Sequence, residues 1–201
     1  MYSEILICAS LVIAAWQDFR KRSVYDIVWI PGAAGVAYAL YASYPFVAGI
    51  LLKVGLVGVI CLVFTYFGAI GEADAIALVL VAADPNPYSP VLPLIGTGLV
   101  AGVHISFEYV NGNARGRKTI PLQQFKDEQR WIPRAIIVGG NRTEVSNDVN
   151  EAREEVEAKA GPESLVEVTY GVPTVAYLGV GYAAYLVVLV LTNPHLFASL
   201  P

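Results

Sequence analysis

Residues 45–70 carry one charged side chain, Lys53, and residues 75–83 carry none, yet the four residues that join them, Gly71-Glu72-Ala73-Asp74, hold two carboxylates. About 17–25 predominantly apolar residues are enough to cross a bilayer, so the first run reads as a membrane helix. A charge in or near hydrocarbon costs roughly 2.5–3.5 kcal/mol even on lenient insertion scales, which makes an ionisable residue at such a junction a functional candidate. The composition extends this reading to the whole chain: 56% of residues are hydrophobic and 15% charged, against about 25% charged in soluble domains.

The apolar pattern predicts helices over 2–17, 24–44, 45–70, 91–110 and 171–192, with a short helix over 72–83. Twelve residues make roughly 18 Å of helix at 1.5 Å per residue, so this last one spans only where it starts inside the bilayer or the membrane is thin. The predicted fold is a membrane all-α bundle of six transmembrane helices. Residues 1–110 form helices 1 to 5, residues 111–168 a cytoplasmic α+β insert, and residues 169–201 the last helix and an external tail. The start of the chain lacks the positive region of a cleavable signal, because its first basic cluster, Arg20-Lys21-Arg22, follows the apolar run.

Basic residues concentrate in cytoplasmic loops near span ends. Of the 13 Lys and Arg, three lie at 20–22, nine lie between Arg115 and Lys159, and Lys53 stands apart. Six alternating spans put both basic segments on one side. The expected topology therefore has both termini outside the cell membrane and sets Asp18 and Asp74 at the cytoplasmic boundary.

Within the bundle, Pro31-Gly32 is expected to kink the second helix, and residues 84–90, rich in proline, to form a turn. Gly98 and Gly102 make a GxxxG pair suited to close helix packing. Tyr2, Trp16, Trp29, Tyr44, Tyr88 and Tyr109 fit an interfacial aromatic belt. In the insert, residues 134–140 read as a strand stopped by Gly139-Gly140. Ser146, Asn147 or Asp148 can cap a helix whose apolar face is Val149, Ala152, Val156 and Ala160, and residues 165–169 alternate as a second strand. The insert is either a docking element or a structural cap.

Several chemistries lack their residues. Cys8 and Cys61 lie in apolar runs without paired spacing, so they read as inert thiols; no metal site and no cofactor is expected. His104 stands alone in the fifth helix, suited to a hydrogen bond between helices, and His195 lies in the tail. There is no phosphate-binding glycine loop or dinucleotide fingerprint, and no basic stripe for nucleic acid. Asp26 suits the dipole of the helix that it begins. Asp18 is either a boundary carboxylate paired with Arg22 or Lys21, or a catalytic group. Glu72 is either solvated or a receptor for a cationic segment, and Glu108 is a further candidate near the same face. Carboxylate acid/base chemistry remains. Two aspartates brought close share a proton, so that one activates water while the other polarises a carbonyl.

Asp18 with its trailing Arg20-Lys21-Arg22, Gly71-Glu72-Ala73-Asp74 opening the fourth helix, and six spans with an insert before the last together resemble the type IV prepilin peptidase-like intramembrane aspartic proteases, most closely the archaeal preflagellin peptidases. The resemblance implies Asp18 and Asp74 as the catalytic pair and Gly71 as the motif glycine, with Ala73 standing where the usual GxGD motif has its second glycine. It implies cleavage of the short basic leader of preflagellin or pilin-like precursors at the cytoplasmic face, without cofactor. Nothing matches the paired cysteines of the bacterial methylating region. Tyr25-Asp26 matches a presenilin-type motif, whose Pro-Ala-Leu counterpart is absent. Pro173 begins the last span and is expected to help shape the site. The alternative reading is a small cation- or proton-coupled transporter that uses the boundary carboxylates. The sequence specifies no oligomeric state.

Overall fold

A computed structural model describes residues 1–67, 70–146 and 149–193; Asn147, Asp148 and His195 lie outside the described residues. The chain divides into two compact units. The first comprises Met1–Phe19, Val24–Gly102 and the chain from Pro173 on, and the second comprises Arg20–Ser23 and Val103–Val172.

The first unit is helical. Its elements are α1 (Tyr2–Lys21), a single 3-10 turn (Asp26–Trp29), α2 (Ile30–Ala42), α3 (Ala48–Tyr66), α4 (Glu72–Ala83), the first part of α5 (Val91–Val110), and α8 (Thr174–Thr192). Among the described residues, α1, α3, α5 and α8 are long and apolar enough to cross a membrane. The first helix extends past the predicted 2–17, so Asp18 lies inside its last turn. The predicted helix over 24–44 begins instead as the 3-10 turn, and Pro31 occupies the first turn of α2. A helix tolerates proline there because the N–H it lacks would have had no intrahelical partner.

The core of this unit joins α1, α4 and α8 through Ile7, Leu11, Ala14, Leu80, Val81 and Leu178, with Val28 and Trp29 of the 3-10 turn. Trp29 is thus a core residue and not part of the aromatic belt, whereas Tyr2, Trp16, Tyr44, Tyr88 and Tyr109 are exposed. By contrast, α3 packs on α4 and leaves Leu52, Leu56, Val59 and Leu62 uncovered. Apolar exposure on that scale belongs to a surface that meets lipid or another protein.

Close helix contact uses glycines other than the expected pair. A Cβ at Gly98 or Gly102 would meet nothing within 4 Å. At Gly181 it would stand 2.6 Å from the Thr97 amide nitrogen and 2.7 Å from the Pro93 carbonyl oxygen, and at Gly179 2.8 Å from the Leu11 carbonyl oxygen. So α8 approaches α5 through Gly181 and α1 through Gly179, backbone to backbone.

The second unit contains β1 (Lys118–Pro121), α6 (Leu122–Asp127), β2 (Trp131–Val138), β3 (Asn141–Glu144), α7 (Val149–Lys159) and β4 (Leu165–Tyr170). Its antiparallel sheet has the order β1-β4-β2-β3. The core holds Ile120, Phe125, Trp131, Ile136, Val166 and Val168, covered by Val156 of α7. The two expected strands are the central pair. Both edge strands escape the sequence pattern, since β3 is exposed throughout and β1 buries only Ile120. Gly139 and Gly140 do more than stop β2. With φ of 55° and 87° they turn the chain back into β3, Val138 facing Asn141, as two-residue hairpins require.

Arg142 and Arg117 both bond Glu167 on β4, and these bonds hold the Glu167 carboxyl below its usual range. Its contribution to stability is therefore present above the ordinary carboxyl pKa of about 4.5 and lost as pH falls through the lower folded value. Glu167→Gln should lower the thermal midpoint at pH 6 and have a smaller effect at pH 3. For the helix contacts, Gly181→Val should cost about 1–3 kcal/mol and Gly98→Val little, as thermal unfolding in detergent would measure.

Candidate active site

Asp18 is only 8% exposed. Its Oδ2 accepts the Ala176 N–H at 3.0 Å. Ala176 lies in the first turn of α8, whose N-cap is Pro173 and offers no side-chain cap. The first N–H groups of a helix have no acceptor within it, and the helix dipole favours negative charge there. Asp18 therefore caps α8 from a helix far away in sequence. Pro173 helps to leave that position open, as its side chain has no acceptor.

Asp74 does the same for its own helix. It is the third residue of α4, half-buried, and its Oδ2 accepts the Gly71 N–H at 3.2 Å. The charge of Asp18 reaches Asp74. Ala73 packs against the apolar cluster that contains Ala14, one turn before Asp18, and Val175, next to Ala176. Both carboxylates thus sit at helix N-termini around one core. Each has one oxygen committed to a backbone donor.

Gly71, Glu72 and Glu108 differ in their surroundings. Gly71 has an extended backbone at φ −77° and ψ 162°, which any residue adopts, and a Cβ there would meet only Asp74 Oδ2 at 3.5 Å. Among the described residues no close packing requires glycine at this position, and they leave open space beside Asp74. Ala73 fits because its methyl group is part of the core contact. Glu72 is exposed and lines an apolar groove of about 480 Å³ between α3 and α4, with Gly58, Cys61, Thr65, Ile76 and Val79. The Thr65 hydroxyl is buried without an acceptor. Glu108 belongs to the second unit, where it accepts from Asn113 Nδ2 at 2.7 Å and lies 3.7 Å from His104. This contact of Glu108 with His104 runs along one helix, and the His104 ring also lies 6.5 Å from that of Tyr170. Cys8 and Cys61 are free thiols, and no group of three or more His, Cys, Asp or Glu suited to a metal ion occurs among the described residues.

A second buried carboxylate terminates α4. Asp84 is fully buried and accepts the Tyr182 hydroxyl at 2.6 Å and the Asn86 N–H at 2.8 Å. Lys53 Nζ donates to the carbonyl oxygens of Asp84, Asn86 and Ser89. The sequence pattern alone shows residues 84–90 as a turn. The available signal was Lys53: a lone lysine in an apolar helix needs acceptors, and the adjoining turn supplies them.

Residues 5–107 match the type IV leader peptidase family. The match takes in just over half of the chain, including Asp18 and Asp74, and the chain belongs to that family. It is also 34% identical over 103 residues to the preflagellin peptidase of Methanococcus maripaludis (strain C6 / ATCC BAA-1332), an alignment that covers 48% of this chain and 45% of that protein. The chain thus spans less than half the length of this relative. No solved structure matches.

Tyr182→Phe removes the hydroxyl donor from a fully buried carboxylate. It should cost about 1–3 kcal/mol, read as a lowered thermal midpoint.

Proposed function

We propose that the chain is an intramembrane aspartic endopeptidase that removes the short basic leader of preflagellin or pilin-like precursors at the cytoplasmic face, with Asp18 and Asp74 as the catalytic pair. The observation that carries this reading is the meeting of two distant carboxylates at one apolar core, each fixed by a backbone N–H and within reach of the other's charge. Family membership favours it over the transporter reading.

One aspartate, ionised, takes a proton from a water lying between the two. The other, protonated, donates to the scissile carbonyl oxygen as the water oxygen attacks the carbon. The tetrahedral intermediate collapses when the leaving nitrogen regains a proton from the first aspartate and the second recovers its own. No metal or cofactor is needed to balance these steps. Glu72, exposed one turn or less from Asp74, is suited to hold a basic leader residue near the scissile bond.

In this reading α2 and α4 complete six spans together with α1, α3, α5 and α8, the termini lie outside, and residues 111–168 form the cytoplasmic insert. The shortness of α4 and the open space at Gly71 suit movement around that helix as substrate enters.

The test is cleavage of a tagged precursor in membranes. Asp18→Asn and Asp74→Asn should each lower the rate by about 10²–10⁴-fold while the protein remains folded. Ala176→Pro removes the Asp18 donor at a position where proline is tolerated and should cost about tenfold or more. Wild-type cleavage by either aspartate variant overturns the mechanism.

A further inference from the structure

The second unit contains two guanidinium groups whose hydrogen-bonding capacity its fold leaves partly unused. Among the described residues, Arg22 Nε and Nη1 are buried without an acceptor, as is Arg153 Nε. Arg153 spends Nη2 on the carbonyl oxygens of Gln129 and Trp131, at 2.7 and 2.8 Å. Among the described residues neither arginine forms an ion pair. The two flank one pair of packed rings: Arg22 lies over the Tyr170 ring, whose centroid is 6.3 Å from that of Trp131, and Arg153 binds the Trp131 carbonyl oxygen, so each lies within reach of the other's charge.

A buried donor without an acceptor costs about 1–3 kcal/mol, more when it is charged. Two cations that repel across the same space add to that cost. The carboxylates in range do not remove it: Glu157 acts on Arg153, and Glu108 acts on Tyr170, but neither bonds the unused nitrogens.

The backbone gives an independent sign of constraint. Arg22 has φ 56° and is the one non-glycine residue at positive φ among those described. It stands just after α1, at a position that glycine or asparagine usually takes. Strain held in a non-glycine residue is a pointer to a functional demand on its side chain. The guanidinium that this backbone directs lies over the Tyr170 ring, 5.9 Å from its centroid, where aromatic stacking orients it.

We propose that Arg22 and Arg153 form a binding site for a phosphate group. Guanidinium forks match the several acceptor oxygens of phosphate, and a tetrahedral anion can serve two forks where one carboxylate serves one. Arg22 follows directly on a helix long and apolar enough to cross a membrane, which sets it where lipid headgroups lie. Free phosphate offers the same chemistry. The proposal does not rest on the peptidase reading, since neither arginine takes part in that mechanism.

The full chain in a maltoside detergent would be titrated with inorganic phosphate, with dihexanoyl phosphatidylglycerol, and with dihexanoylglycerol, which lacks phosphate, following thermal stabilisation. At least one phosphate-bearing probe should stabilise the protein, and dihexanoylglycerol should not. Arg22→Gln, which keeps a polar side chain beside Tyr170 but removes the charge and the fork, should weaken the effect about tenfold or more, and Arg22→Lys less. A response to the lipid alone assigns the headgroup as the source, and a response to inorganic phosphate assigns the free anion. Should Arg22→Gln fail to fold, Arg153→Lys must weaken phosphate binding by the same measure. Equal binding by the wild type and the folded variants, or equal stabilisation by dihexanoylglycerol, overturns the proposal.

Discussion

The hydrogen bond from the Ala176 amide to Asp18 ties the first helix to the last. It settles two electrostatic problems at once. The first turn of α8 has N–H groups without acceptors, and α1 has a carboxylate that is almost fully buried. Separately, each would cost about 1–3 kcal/mol or more; joined, the donor and acceptor satisfy each other. The bond requires α1 and α8 to approach closely, and Gly179 permits this by leaving no Cβ to strike the Leu11 carbonyl.

The same logic governs α4, which carries an aspartate at each end in different surroundings. Asp84 is enclosed by Tyr182, the Asn86 amide and the neighbouring Lys53 ammonium, and it binds the end of α4 to α3 and α8. Asp74 has one backbone donor and stands beside a residue with open space. A carboxylate whose partners are all supplied by the protein is a structural anchor. One with an oxygen to spare beside free space is available for chemistry. The contrast separates the two aspartates on one short helix without any appeal to their sequence motifs.

Sequence showed most of what depends on apolar content. The long helices, the polar insert, the central strands and the apolar face of α7 follow from hydrophobic runs and periodicity. The edge strands do not, because a strand with no buried face carries no alternation, as Asn141–Glu144 illustrates. Nor did the glycine pattern identify the packing glycines. GxxxG marks a face open to approach, but the neighbour decides which glycines are used, and the neighbour proved to be Gly181 facing Gly96. At the site, Asp18 and Asp74 were legible as costly charges. Their backbone donors were not, since an amide carries no side-chain signature and Ala176 is far from Asp18 in the chain.

Under the proposed membrane arrangement, the length of α4 constrains the depth of the reaction. Its twelve residues cover roughly 18 Å, against a hydrocarbon core of about 30 Å, so at least one end lies within the membrane unless the bilayer thins. The end that can go deep is the one whose polar groups need no water. Asp84 qualifies, since it is fully buried and bonded to Tyr182. Asp74 is half-buried and adjoins exposed Glu72, so its end belongs near the aqueous boundary. The polar anchor at Asp84 thereby allows a helix too short to cross to hold the proposed catalytic carboxylate where water can reach it.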